Sequence, residues 1–423
     1  MLRSRAQATR MPMRDQADLA GPPQPFRAAG YPWRLYAGTG ALDHLGAEVA
    51  RHRARRAFVI CGQTVAHRTT LLQRIRDGLG EVCAGVFDRM DKDSSYPAVL
   101  AATGAARAAG ADLIVAVGGG SVIVGARATA ILLAEKGSAY DLMTQYPEGQ
   151  PPVSPKLMAP KLPIINVVTT PTSAMNRAGT GLRNDELDHR MEFFDPKTRP
   201  VALFWDADAL LTAPPALARS TGTTTFTGCL QSLAAGSANP LVEGDHRQAF
   251  RLARRALPRL VAEPNDAGPR IELCAAAFLQ NRAADDGAAR EGRDGASSAA
   301  YALATVLHIR YDHVGQGEAT SAVTPGAVRR LGASREDSVR RMAEALGAGK
   351  ARMAPEAAAT AAAEALDAFY RGIGMPSRVR DLRIPEAELP LLAQDTLKNF
   401  NANRGERPAD HADRMLELLR ACW

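Results

Sequence analysis

The chain is poor in the residues that staple small folds or build the common zinc modules. Its five cysteines, Cys61, Cys83, Cys229, Cys274 and Cys422, are odd in number and no two stand at CxxC spacing. That excludes a zinc ribbon and argues against a disulfide framework, so free thiols in a reducing compartment, the cytoplasm, are expected. Aromatic residues are scarce at 5%, and the net charge of +7 is carried by arginines spread along stretches such as RHRARR and RLARRALPRL. Without aromatics between the basic residues this reads as a solvated surface, which excludes a nucleic-acid partner and stays compatible with small anionic substrates. The longest apolar candidate, LIVAVGGGSVIVGA, is broken by three glycines. It falls short of the ~20 residues of a membrane helix, so no membrane partner is expected. Met1 to Phe26 is rich in arginine and proline and has no apolar centre, so residues 1–30 read as a loose extension, more remotely a transit peptide, and not as a secretory signal.

What is present is globular: 46% hydrophobic and 23% charged residues over 423 positions, enough for two cores. RRAFVICG reads as a strand, HRTTLLQRIRDGLG as a helix, EVCAGVFD as a strand, YPAVLAATGAARAAG as a helix and ADLIVAVGGGS as a buried strand entering a glycine turn. LPIINVVTTPTS reads as a further buried strand ending in small hydroxyl residues. This rhythm predicts a parallel sheet with right-handed crossovers. After about Asp206 alanine-rich amphipathic stretches take over. The expected fold is thus an α/β nucleotide-binding domain over residues 31–210 followed by an all-α domain over 211–423. Asn281 to Ser298, dense in Gly, Asp and Arg, is expected to be a surface loop between two helices.

Two stretches carry the functional reading. In DLIVAVGGGSVIVGARA, Gly118, Gly119, Gly120 and Ser121 stand between a buried strand and a helix. Glycines there let the backbone approach a diphosphate, and the following helix offers free N–H groups and the positive end of its dipole. The spacing is not GxGxxG, so the common dinucleotide fingerprint is absent. The other stretch, TGTTTFTGCLQS from Thr221 to Ser232, puts poor helix formers where the flanking residues read as helix.

From about Tyr36 to Trp423 the chain resembles the iron-containing (group III) alcohol dehydrogenase family, which shares its dehydroquinate synthase-like fold. GADLIVAVGGGS matches the family's dinucleotide loop, TTPTSA at 169–174 its segment near the nicotinamide, and RMEFFDPKTRPVALFWDADALLTAPPALARSTG the stretch leading to its metal-binding helices. RGIGMPSRVRDLRIPEAELPLLAQDTL and LRACW match its C-terminal helices. The resemblance implies a cleft between two domains where hydride moves between NAD(P) and a carbonyl or alcohol. Cofactor contacts are implied at Gly118, Gly119, Gly120, Ser121, Thr169, Thr170, Thr172 and Arg190, and a homodimer is implied for the assembly.

The departures fall on the metal. The family holds a divalent ion with one aspartate and three histidines; here the matching positions are Thr224, Gly228, Tyr301 and Gln316. No divalent metal is therefore expected. The aspartate that binds the adenine ribose is replaced by Gly62, which makes NADPH as acceptable as NADH. Val124 and Arg127 stand where the family's glycine loop continues with aspartate and lysine. Without the ion a carbonyl reduction needs another oxyanion stabiliser and proton source. Tyr301, His308 and His313 are the catalytic candidates, and Thr224, Gly228, Gln316 and Arg177 the candidate substrate pocket. Three functions stay open: a metal-independent NAD(P)-dependent oxidoreductase akin to the maleylacetate reductase branch, a noncatalytic nucleotide-binding homologue, and a dehydroquinate synthase-like lyase or cyclase.

Overall fold

The computed structural model describes residues 25–147, 152–187, 189–285, 295–350, 352–397 and 412–423. Most of the N-terminal extension and residues 286–294 of the expected surface loop lie outside these. The flanks of that loop differ from expectation. Asn281 to Asp285 continue one helix and Gly295 to Ser298 already belong to the next, because alanine outweighs the scattered Gly and Asp at both ends.

Eight strands are described: β1 (Arg34–Gly38), β2 (Ala57–Cys61), β3 (Cys83–Phe87), β4 (Leu113–Gly118), β5 (Ile164–Val168), β6 (Gly179–Leu182), β7 (Met191–Phe194) and β8 (Ala202–Asp206). Six of them form one parallel sheet in the order β1-β8-β5-β4-β2-β3, while β6 and β7 make an antiparallel hairpin. The central strands AFVIC, LIVAVG and IINVV are buried along their whole length, as expected of strands covered on both faces. Crossover helices supply the cover: α1 (Leu45–Arg51), α2 (Gln63–Arg68), α3 (Leu71–Leu79), α4 (Tyr96–Ala108) and α5 (Gly120–Ala134), followed by the short α6 (Ala139–Leu142). Successive strands leave β2 in opposite directions, β3 to one side and β4 to the other. The glycine turn at the end of β4 therefore sits at a topological switch point, where open α/β sheets bind ligands.

From Ala207 onward the described elements are helical: α7 (Ala207–Leu211), α8 (Pro215–Ala235), α9 (Pro240–Ala262), α10 (Ala267–Asp285), α11 (Gly295–Arg310), α12 (Gln316–Leu331), α13 (Glu336–Ala345), α14 (Pro355–Gly372), α15 (Leu389–Thr396) and α16 (Ala412–Cys422). Helix α8 packs against α9, α10, α12 and α13. The two halves share apolar surface at α10, whose Cys274, Ala277 and Phe278 join the core on one face of the sheet. The Phe278 ring meets Trp33 edge-on at 4.6 Å between centroids.

Candidate active site

The glycine turn is held by close packing. A Cβ on Gly118 would lie 2.6 Å from Val122 Cγ2, one on Gly119 3.1 Å from Thr170 Oγ1 and one on Gly120 3.0 Å from Thr172 Oγ1. The backbone of the threonine turn after β5 is tied to the same place, Thr169 N–H donating to the Gly118 carbonyl at 3.1 Å. Thr169, Thr170 and Thr172 are buried, and the Thr170 hydroxyl has no hydrogen-bond partner among the described residues. Helix α5 starts at the turn with no side-chain cap on its first N–H groups. A narrow glycine cradle, uncapped amides and an orphaned hydroxyl fit a diphosphate-bearing cofactor. Further along α5, Arg127 is buried; its Nη1 donates to the Arg177 carbonyl and its Nε finds no partner among the described residues. Burial, then the charges of Arg177 and Arg199, push this guanidinium down to about 9, so it remains protonated at neutral pH.

The opposite wall is helical. The threonines of α8 return their hydroxyls to carbonyls one turn back: Thr221 to Leu217, Thr223 to Arg219, Thr224 to Ser220 and Thr227 to Thr223. Thr225 instead reaches across to the Pro171 carbonyl of the threonine turn at 2.9 Å. Gly228 leaves a gap that the Gln280 amide enters, since a Cβ there would sit 2.6 Å from Gln280 Nε2. Gln316 is the first residue of α12, and Tyr301 on α11 is 38% exposed. Beside Gln316, the Glu318 carboxylate accepts from Ser220 Oγ at 2.5 Å. As a donor set for a divalent ion, a threonine hydroxyl spent on its own helix, a glycine, a tyrosine and a glutamine do not fit. Among the described residues no three His, Cys, Asp or Glu side chains gather as an ion would need.

The other candidates divide. His308 faces the sheet half, its Nε2 2.8 Å from Asp93 Oδ1, whereas His313 lies exposed on the turn after α11 with its Nε2 2.9 Å from the Leu382 carbonyl. Arg190 joins the Asp93 group, Nη2 to Oδ1 at 3.6 Å. The Nε of Arg177 is held by Asn281 Oδ1 at 2.6 Å, on the α10 side. Sequence reasoning passed over Asp93, Ser220, Gln280 and Glu318. In DRMDKDSSYP a charged turn residue looks solvated, and only the serines that follow it hinted at a built turn. Cys61, Cys229 and Cys274 are not candidates for nucleophilic chemistry, because burial raises the thiols of Cys229 and Cys274 and, aided by Asp88, pushes that of Cys61 up to about 12.

The order of a parallel-sheet half with a glycine turn after β4, followed by a helical half, agrees with comparison to known proteins. Family models of the iron-containing alcohol dehydrogenase match residues 32–207, and of the C-terminal part of the Fe-containing family residues 219–423. The chain belongs to the iron-containing alcohol dehydrogenase family. This is a family of NAD-dependent alcohol and aldehyde dehydrogenases and reductases. Lactaldehyde reductase of Escherichia coli K12 is 25% identical over 389 residues, covering 91% of this chain and 97% of the relative. Maleylacetate reductase 2 of Cupriavidus pinatubonensis is 29% identical over 254 residues, 60% of this chain and 62% of that one. The solved alcohol dehydrogenase from an archaeal halo-thermophile of a Red Sea brine pool superposes with a TM-score of 0.80 at 19% identity, over 94% of this chain and 99% of its own, a likeness of fold.

Proposed function

We propose that this family member is an NAD(P)-dependent oxidoreductase that acts on a small substrate, anionic ones included, without a divalent metal, reducing a carbonyl or activated alkene or oxidising an alcohol. The observation that carries the reading is a contrast between the glycine turn and the positions matching the family's ion ligands. The glycine cradle of Gly118, Gly119 and Gly120 is packed to tolerance against Val122, Thr170 and Thr172, while the positions that bind the family's ion hold Thr224, Gly228, Tyr301 and Gln316.

When bound, the dinucleotide supplies or accepts a hydride at its nicotinamide. The α5 amides and Ser121 would hold its diphosphate, with Thr169, Thr170 and Thr172 on the wall beside it and Arg190 adding a positive charge. Charge that develops on a substrate oxygen calls for O–H and N–H donors in place of a Lewis acid, and Tyr301 and the Gln316 amide are those we assign. His308 can deliver a proton only by parting from Asp93. His313, held at Leu382, is the weaker acid candidate, and Thr224, Gly228 and Arg177 are assigned to the substrate side. The choice between NADH and NADPH turns on Gly62, which carries no carboxylate to repel a 2′-phosphate.

One observation favours a noncatalytic nucleotide-binding homologue: Thr224 has turned its hydroxyl to its own helix and Gln280 has entered the space beside Gly228. Titration with NADH and NADPH, followed by turnover of a panel of aldehydes, keto acids and alcohols, separates the two. The parent protein should bind one nucleotide and turn over a panel member, Gly119→Asp should lose binding, and Tyr301→Phe should lose turnover with binding intact. Binding without turnover supports the noncatalytic reading. No binding of either nucleotide overturns both.

A further inference from the structure

Asp93 and Ser94 follow β3 with consecutive left-handed backbones, φ 61° and 51°. Such conformations are costly for residues other than glycine and persist where surrounding bonds impose them. Those bonds are present: Asp93 N–H donates to Ser121 Oγ at 3.0 Å, Ser94 Oγ donates to the Ser121 carbonyl at 2.5 Å, and Ser95 N–H donates to Asp91 Oδ1 at 2.7 Å. The segment is thereby pinned to the glycine turn, and it turns the Asp93 carboxylate, 8% exposed, toward the helical half.

There the carboxylate meets His308, 215 residues away in sequence and 12% exposed, at 2.8 Å from Nε2. The other ring nitrogen, Nδ1, lies 3.1 Å from the Val314 carbonyl. A carbonyl and a carboxylate accept hydrogen bonds and donate none, so a ring that satisfies both carries two protons and a positive charge. Although burial raises it, the hydrogen bond and charge of His308, with Arg190 and Lys92, hold the Asp93 carboxyl below its ordinary value. The remaining charged neighbours reinforce the contact between halves. Lys92 Nζ donates to the Asp312 carbonyl at 3.0 Å and approaches that of Val314 at 3.5 Å, and Arg183 Nη1 lies 4.0 Å from Asp312 Oδ1.

We propose that Asp93 and His308 form a clasp that closes the cleft beside the glycine turn, shut while His308 carries both ring protons and released when it loses one, so that the clasp governs how fast a dinucleotide leaves. Loss of the proton sets a nitrogen lone pair against the carboxylate or, in the other tautomer, against the Val314 carbonyl; either way one contact becomes repulsive. The clasp is also lost at low pH, where Asp93 takes up a proton below its already lowered value. Cations at Lys92, Arg183 and Arg190 oppose the charge on His308, and Asp93 and Asp312 favour it. The direction of release with rising pH follows from the loss of a charged, desolvated pair.

The role in nucleotide release rests on the function proposed above; the clasp itself does not. Hydrogen–deuterium exchange of the full chain without nucleotide, corrected for intrinsic rates, tests it directly. Exchange in Asp91–Ser95 and His308–Gly315 should rise with pH, and Asp93→Asn or His308→Gln should give the open level at every pH while α9 and α14 stay unchanged. Exchange in these segments that ignores pH, or variants that match the parent, would overturn the clasp. Stopped-flow release of bound nucleotide should then quicken on the order of tenfold in His308→Gln and lose its pH dependence. Release rates equal to the parent's would remove the gating role, and a chain that binds no nucleotide would sink the proposed function while leaving the exchange result to decide the clasp.

Discussion

At the scale of single residues, the threonines of α8 show how a helix accepts poor helix formers. A hydroxyl that bonds to the carbonyl one turn back satisfies itself without a partner elsewhere, at a small cost in helix stability. Thr224 does this, and Gly228 yields its space to Gln280. Glycines of the turn after β4 are constrained differently. Gly118→Ala places a Cβ 2.6 Å from Val122 Cγ2, in the first turn of a helix whose backbone is fixed on both sides. Overpacking of this kind costs roughly 1–3 kcal/mol, so a clear fall in denaturant midpoint is expected; an unchanged midpoint would show that the turn is looser than described. The turns after β4 and β5 were legible in GGGS and TTPT because small residues follow a buried strand there. Gln280 and Asp93 were not, since what they touch lies about 50 and more than 200 positions away in sequence.

At the scale of elements, the start of α12 is set against α8 with almost no side chain between them. A Cβ on Gly317 would fall 2.0 Å from the Ser220 carbonyl oxygen, and the Gly317 N–H donates to Ser220 Oγ at 3.1 Å. Because the obstacle is backbone, Gly317→Ala forces the two helices apart. The expected loss exceeds that of an ordinary surface Gly→Ala change, on the order of 2 kcal/mol or more, and moves Gln316 away from α8. Thermal unfolding checks the first part; a melting point equal to or above the parent's would contradict it. The central strands were legible because AFVIC and LIVAVG are unbroken apolar runs and IINVV is interrupted only by Asn166, whose amide donates to the Met175 carbonyl at 2.8 Å. β1 and the β6–β7 hairpin were not. RLYAG lies at the sheet edge with little buried surface, and GTGL is a glycine-rich strand whose pairing comes from MEFF, which starts twelve residues on.

At the scale of the whole molecule, the sheet half and the helical half meet along two lines of different character. One is packed: Phe278, Cys274 and Ala277 of α10 enter the sheet core, Thr225 bonds to Pro171, and Asn281 donates to the Ser173 carbonyl at 2.8 Å. The other is polar and charged, with Lys92, Asp93 and Arg183 facing His308, Asp312 and Val314. A packed seam with a charged seam across the cleft is the arrangement expected of a molecule that opens along the latter. The two-part order of sheet and helices could be read from the change of rhythm near Asp206, but the division of labour between seams could not.

We propose a chain that binds its nucleotide at the glycine turn with no ion at Thr224, Gly228, Tyr301 and Gln316. Metal analysis of the purified chain, combined with nucleotide titration before and after exhaustive treatment with a chelator, tests this most directly. No stoichiometric iron or zinc is expected, and the same affinity for NADH or NADPH in both samples. One equivalent of either metal, or binding that disappears with the chelator and returns with the ion, would contradict it.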